Sequence, residues 1–192
     1  MKKSIKNLGI IAILAFITFS FTMFNNGDKA IKVKESKVVW KGYKVTGSHE
    51  GVIGIKSGTL SFTDGELTGG EIIMDMTSIS NTDVEGEYKT KLEGHLKSDD
   101  FFGVKSHPTS KLVFQNIIAT GKNSYKISGN LTIKGITKPI TFDMSIYGNK
   151  ANASLKIDRT MYDVRYGSTA FFDNLKDKAI YDEFDLVADL EF

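Results

Sequence analysis

The chain has no cysteine and only two prolines. The first absence excludes disulfide bridges, thiolate metal sites, a thiol nucleophile and a lipidated cysteine at an export cleavage site. The second excludes a proline-rich linker, and with 41% apolar and 25% charged residues the chain has the balance of a folded domain. Arginine is scarce as well, since Arg159 and Arg165 are the only two. The formal charge of +2 comes from Lys2, Lys3 and Lys6; without them, 22 basic residues face 23 acidic ones. No basic stripe is left to track a phosphate backbone, so nucleic acid is not expected as a partner.

Motifs that carry chemistry are missing too. There is no G-x-S-x-G, H-E-x-x-H, P-loop, dinucleotide fingerprint or EF-hand loop. His49, His95 and His107 lack short ligand spacing, so no metal and no cofactor is expected. Asp99 and Asp100 are adjacent, which makes their side chains diverge and suits a turn better than an acid–base pair. Asp158 beside Arg159 is the most suggestive polar group. It reads equally as a structural ion pair or as a grip on an anionic head group.

Residues 1–24 run from three lysines through Leu8, Ile10, Ile11, Ile13, Leu14 and Phe16 to a polar break at Asn25, Asn26 and Gly27. This is the layout of a secretory signal, with a retained anchor as the alternative, and it places the protein in the periplasm or outside the cell. Membrane contact is then expected only through an uncleaved leader or during lipid exchange. Residues 25–36 read as a polar lead-in, and 37–192 as one domain.

From Lys37 onward apolar residues recur at every second position, as on half-buried strands. Ile140, Phe142, Met144 and Ile146 form one row; Phe184, Leu186, Ala188, Leu190 and Phe192 form another. Short turns such as Asp64–Gly65 and Lys134–Gly135 separate the rows and leave no room for parallel crossovers. Eight antiparallel strands are expected, near 37–45, 49–62, 66–76, 110–119, 124–133, 137–147, 150–158 and 181–192. One segment breaks the period: Val84, Tyr88, Leu92 and Leu96 are spaced by four, and Thr82 with Glu85 fits a capping box, so a helix should cover the sheet. The architecture is all-β, a closed barrel with one short helix or, alternatively, a sandwich. Its inward aromatics and methionines fit a filled core, which composition favours, or an apolar tunnel.

Three blocks carry a resemblance: Gly94–Phe102 (GHLKSDDFF) followed by His107-Pro108-Thr109; Gly129–Pro139 (GNLTIKGITKP); and Ile157-Asp158-Arg159. Together with Trp40, Lys44, His49 and Gly51, the chain resembles the YceI-like family of lipid-binding or polyisoprenoid-binding proteins over about residues 32–192. The resemblance implies an eight-stranded lipocalin-like barrel, a periplasmic or secreted location, an isoprenoid or other long-chain amphiphile in the interior, and homodimers as seen among relatives. Under that reading Trp40, Phe62, Phe101, Phe102, Phe114 and Phe142 would hold the tail, and Lys44, His49 and Arg159 the polar head. One departure stands in the loop after Arg159, where Asp163 replaces a glycine usual in relatives. The rival functions are an enzyme on a lipid, with His49 as base oriented by Asp158 or Asp163, and a solid-core structural or stress-related protein.

Overall fold

The structure, a computed structural model, describes residues 26–192; the expected signal segment 1–24 lies outside them. Eight long strands follow the alternating rows: β2 (Lys37–Lys44), β3 (Gly47–Thr63), β4 (Glu66–Asn81), β5 (Thr109–Gly121), β6 (Ser124–Ile133), β7 (Ile136–Tyr147), β8 (Lys150–Asp158) and β9 (Ile180–Glu191). They pair antiparallel in the order β3–β2–β9–β8–β7–β6–β5–β4, and β4 returns to β3, so the sheet closes into an eight-stranded barrel. That continuous circuit excludes the sandwich. A short β1 (Gly27–Ala30) adds to it, so the expected lead-in is partly strand. It pairs with residues 59–62 of β3, whereas β2 pairs with 47–53, so β1 and β2 lie end to end along the same edge. Lys32 N–H donates to Glu191 O (2.6 Å) and Glu191 N–H to Ser36 Oγ (2.9 Å), which pins the interruption to β9.

The hairpin turns follow local chemistry. Asp64–Gly65 and Lys134–Gly135 each have φ positive at both central positions (52° and 84°, 50° and 75°). That is the twist-matched two-residue turn in which glycine carries the second position without a Cβ clash.

The helix α1 (Gly86–Lys97) starts later than the capping-box reading expects. Gly86 sits at φ 63°, so a right-handed helix cannot run through it from Thr82, and Glu85 makes no side-chain cap. The fully buried Asn81 performs the ordering instead: its Nδ2 donates to Glu50 O (2.9 Å) and its Oδ1 accepts from Val84 N–H (2.9 Å). Of the expected stripe, Leu96 is buried and Leu92 packs against the core, while Tyr88 is 78% exposed.

The α1 end of the barrel also carries the loops 98–108 and 159–179; we call it the mouth. At the opposite end Phe62 stacks on Phe192 (5.4 Å between centroids), and Lys29 Nζ lies 4.9 Å from the first ring and 5.1 Å from the second. Gly51 allows one close approach, because a Cβ there would lie 1.9 Å from Ser80 O and 2.6 Å from Trp40 Cζ2. Trp40 therefore lies across β3 and donates its indole N–H to Ser80 O at 3.2 Å. Gly51→Ala is expected to destabilise the fold by about 3 kcal/mol, the upper end of overpacking costs, and to shift Trp40 emission; urea unfolding and fluorescence check both.

Candidate functional site

The barrel is not filled throughout. Behind the mouth lies an apolar cavity that opens toward solvent. Trp40, Ile53, Met76, Phe101, Phe102 and Phe184 form much of its wall. Deeper in lies a second, walled by residues such as Leu112, Phe142, Met144 and Leu190. Met74, Ser110, Ile133 and Leu186 line both, so the two cavities adjoin at these side chains. The composition-based preference for a filled core holds in part: a large buried cluster packs the barrel, and two adjoining apolar cavities interrupt it.

Each part of the mouth has a local cause. The loop after α1 folds back on the helix C-terminus, with Phe102 N–H donating to Leu96 O (3.2 Å) and Val104 N–H to Lys97 O (3.0 Å). This turns Phe101 and Phe102 inward, edge to face at 5.0 Å, with Phe102 also against Phe184 at 6.4 Å. Gly103 makes the return possible at φ 56°. Asp99 and Asp100 stand exposed on the outer side of that turn.

Arg159 is 2% exposed and closes the wall under Phe101, its guanidinium carbon 5.6 Å from the ring centroid. Its Nε donates to Tyr181 O (3.1 Å), Nη1 to Val164 O (2.7 Å), and Nη2 to Ile180 O (3.0 Å) and to Asp182 Oδ1 (3.4 Å). The guanidinium thus clamps the loop after β8 to the start of β9. Its partner is Asp182 rather than Asp158, whose carboxylate accepts from Thr160 N–H (2.9 Å) and Oγ1 (2.6 Å). Burial pushes the Arg159 pKa down, opposed by Asp182 and Asp158. The group stays charged at neutral pH.

The residues expected to bind fall into two sets. Trp40, Phe101, Phe102 and Arg159 line the outer cavity and Phe142 the inner one. Phe62 and Phe114 are buried but line neither; Phe62 plugs the far end, and Phe114 packs edge to face on Phe142 at 5.6 Å. Lys44 and His49 sit at the mouth end, on either side of the β2–β3 turn, outside the cavity lining. His49 Nδ1 lies 3.2 Å from Asp83 Oδ2, and neither Asp158 nor Asp163 reaches it; Asp163 pairs with Arg165 at 2.6 Å. The acid–base constellation drawn from sequence is therefore not assembled. Tyr43, Ser110 and Tyr181 are polar lining residues that the sequence reading missed. Their strands were recognisable, but nothing in the alternation marks a hydroxyl as facing a hollow.

His95 completes the mouth from the helix side. Its ring lies 4.3 Å from Tyr166 and 5.5 Å from Phe101, and among the described residues its buried Nε2 has no hydrogen-bond partner. Burial pushes the imidazole pKa below its usual value, and Asp100 opposes this only in part.

Against this geometry, the family model described as the YceI-like domain matches residues 30–192. The chain belongs to the YceI-like family. Among solved structures, this YceI-like barrel is similar to Burkholderia cenocepacia BcnA, with TM-score 0.66 and 21% identity, over 83% of this chain and 98% of the other. It is also similar to a polyisoprenoid binding domain from Saccharophagus degradans, with TM-score 0.60 and 13% identity, over 86% and 97% of the two chains. At these identities the likeness establishes the fold. Among curated sequences, a UPF0312 protein of Pseudomonas putida is 39% identical over 54 residues, and the match spans only 28% of the length of each chain.

Two outcomes are expected of this YceI-like mouth. Arg159→Met should cost about 3 kcal/mol by leaving buried carbonyls and Asp182 without their donor. Arg159→Lys should recover only part, because an ammonium lacks the planar fork; urea unfolding of both variants measures this. For His95, the unfolded imidazole, near 6.5, takes up its proton before the folded one. Stability should therefore be full above about pH 6.5 and fall as pH drops toward the lower folded value. His95→Phe should flatten that slope in unfolding curves taken at stepped pH.

Proposed function

We propose that the protein is an exported, non-catalytic carrier that holds an isoprenoid or similar long-chain amphiphile inside the barrel. The observation that carries this reading is the pair of adjoining apolar cavities behind an aromatic mouth. A hollow of this kind is unfavourable to leave to water and favourable to fill with hydrocarbon. Burial contributes about 0.8 kcal/mol per CH₂, before the cost of ordering the chain. The tail would lie along Trp40, Phe101 and Phe102, pass Met74 and Ser110, and end near Phe142, where the packing of Phe114 and Phe62 stops it. The head would stay at the mouth beside Arg159, Tyr43 and Tyr181. The description of the Saccharophagus degradans neighbour as a polyisoprenoid binding domain agrees with this ligand class. The leader-like residues 1–24 support the proposed periplasmic or secreted location.

Native mass spectrometry of protein exported by a bacterial host, before and after organic extraction, tests the reading. A stoichiometric adduct that dissociates as a long-chain lipid is expected. A bare mass from folded protein that also takes up no added polyprenol would overturn it. Ser110→Phe fills the place where the two cavities adjoin and is expected to restrict binding to shorter chains, read as a lower adduct mass from protein with unchanged circular dichroism.

A further inference from the structure

The exposed apolar side chains are not scattered evenly over the barrel. Met161, Tyr166, Phe171 and Phe172 project from the loop after β8, Tyr181 from the start of β9 and Tyr88 from α1, all around the mouth. Phe171 and Phe172 are adjacent and 46% and 49% exposed. Tyr181, 56% exposed, also lines the outer cavity, so the rim meets the interior at this ring, while Tyr166 and Phe172 border a charged depression with Asp99, Asp100, Lys134, Asp163 and Arg165. We propose that this rim docks the mouth onto a phospholipid bilayer surface, where ligand passes between membrane and barrel. The inference rests on the carrier reading and names where the carrier loads and unloads.

Three observations select a lipid surface over other occupants. The rim is a ring of separate aromatics around an opening, which suits rings that each sink into a headgroup layer rather than one continuous interface. Its charges are balanced: across residues 97–107, 134–135 and 163–178, six cations face five carboxylates, Arg165 pairs with Asp163, and Lys134 Nζ donates to the Asp163 backbone O. A nearly neutral rim fits a zwitterionic surface and gives no basis for attraction to a polyanion. Finally, a long apolar chain cannot cross water cheaply, so a cavity that opens through an aromatic rim fits direct transfer from bilayer to barrel. No helix among the described residues is long and apolar enough to span a membrane.

The absence of cysteine makes single-site labelling simple. In the full chain, an environment-sensitive fluorophore is placed at Thr169→Cys, beside the phenylalanines. A second protein carries it at Tyr147→Cys, at the far end, where any contact made through residues preceding Gly27 would register. With phosphatidylcholine vesicles, the probe at 169 is expected to brighten severalfold and the probe at 147 to stay unchanged, with little loss when salt is raised from about 0.1 to about 1 M. Adding Phe171→Ser with Phe172→Ser should abolish the response and slow release of bound lipid to vesicles about tenfold, while adduct stoichiometry stays the same. The proposal is overturned if the probe at 169 does not respond, if only the probe at 147 responds, or if the response survives the double serine change. It is equally overturned if the double change converts a dimer to a monomer without any vesicle response, because a second copy would then cover the rim. The vesicle measurement needs no bound ligand, so a bare mass in the extraction experiment would remove the carrier reading while leaving docking separately decided.

Discussion

Closure of the ladder between β3 and β4 is the constraint on which the rest depends. Once eight strands are joined in a ring, their number and stagger set the width of the barrel, and the inward side chains must fill that width or leave it hollow. Here the inward residues do both. Away from the mouth, large rings pack on one another along the wall: Phe62 on Phe192 and Phe114 on Phe142. Toward the mouth the walls carry Gly42, Ser110 and flexible methionines, and the space between them stays open.

The open part would collapse onto itself without a rigid frame at its entrance. Arg159 and Asn81 supply that frame with hydrogen bonds to backbone carbonyls, one on each side of the mouth. Both side chains are buried, and both serve segments with no regular partner of their own: the loop after β8, and the extended run between β4 and α1. Polar groups that looked like ligand contacts in a linear reading are thus first of all the fasteners of loops. The cavity lining itself is left almost wholly to hydrocarbon.

Strands with an unbroken two-residue period were legible from sequence, as in β6 to β9, where Ile127, Met144, Ile157 and Leu190 all face inward as their rows require. β4 was not, because its inward residues change phase from Ile72 and Met76 to Ile79 and Asn81. Register shifts in its ladder with β3 cause that slip, and a strict alternation cannot express them. The helix start was misread because the neighbouring Asn81 side chain accepts from Val84 N–H, while Thr82 Oγ1 turns away to Glu50 O at 3.4 Å. Aromatic residues pointed to the interior correctly. Whether a given ring lines a void or plugs it depends on what stands opposite, and no pattern along one strand reports that. Hence Trp40 and Phe62, alike in sequence logic, ended at opposite ends of the hollow.

The ring is not equally strong around its circumference. The β4–β5 and β7–β8 ladders hold only five paired positions each, against eleven between β3 and β4 and ten between β6 and β7. The two short ladders divide the circuit into a three-stranded leaf, β5–β7, and a five-stranded leaf made of the remainder. They also gape in opposite directions: β4 and β5 part beyond Glu71, away from the mouth, whereas β7 and β8 part toward it, before Asp143. The turn at Arg159–Tyr162 lies over that second slot against β7. The two seams are therefore where the ring is held by the fewest paired positions, and a wedge between strands opens at each, one toward either end of the barrel.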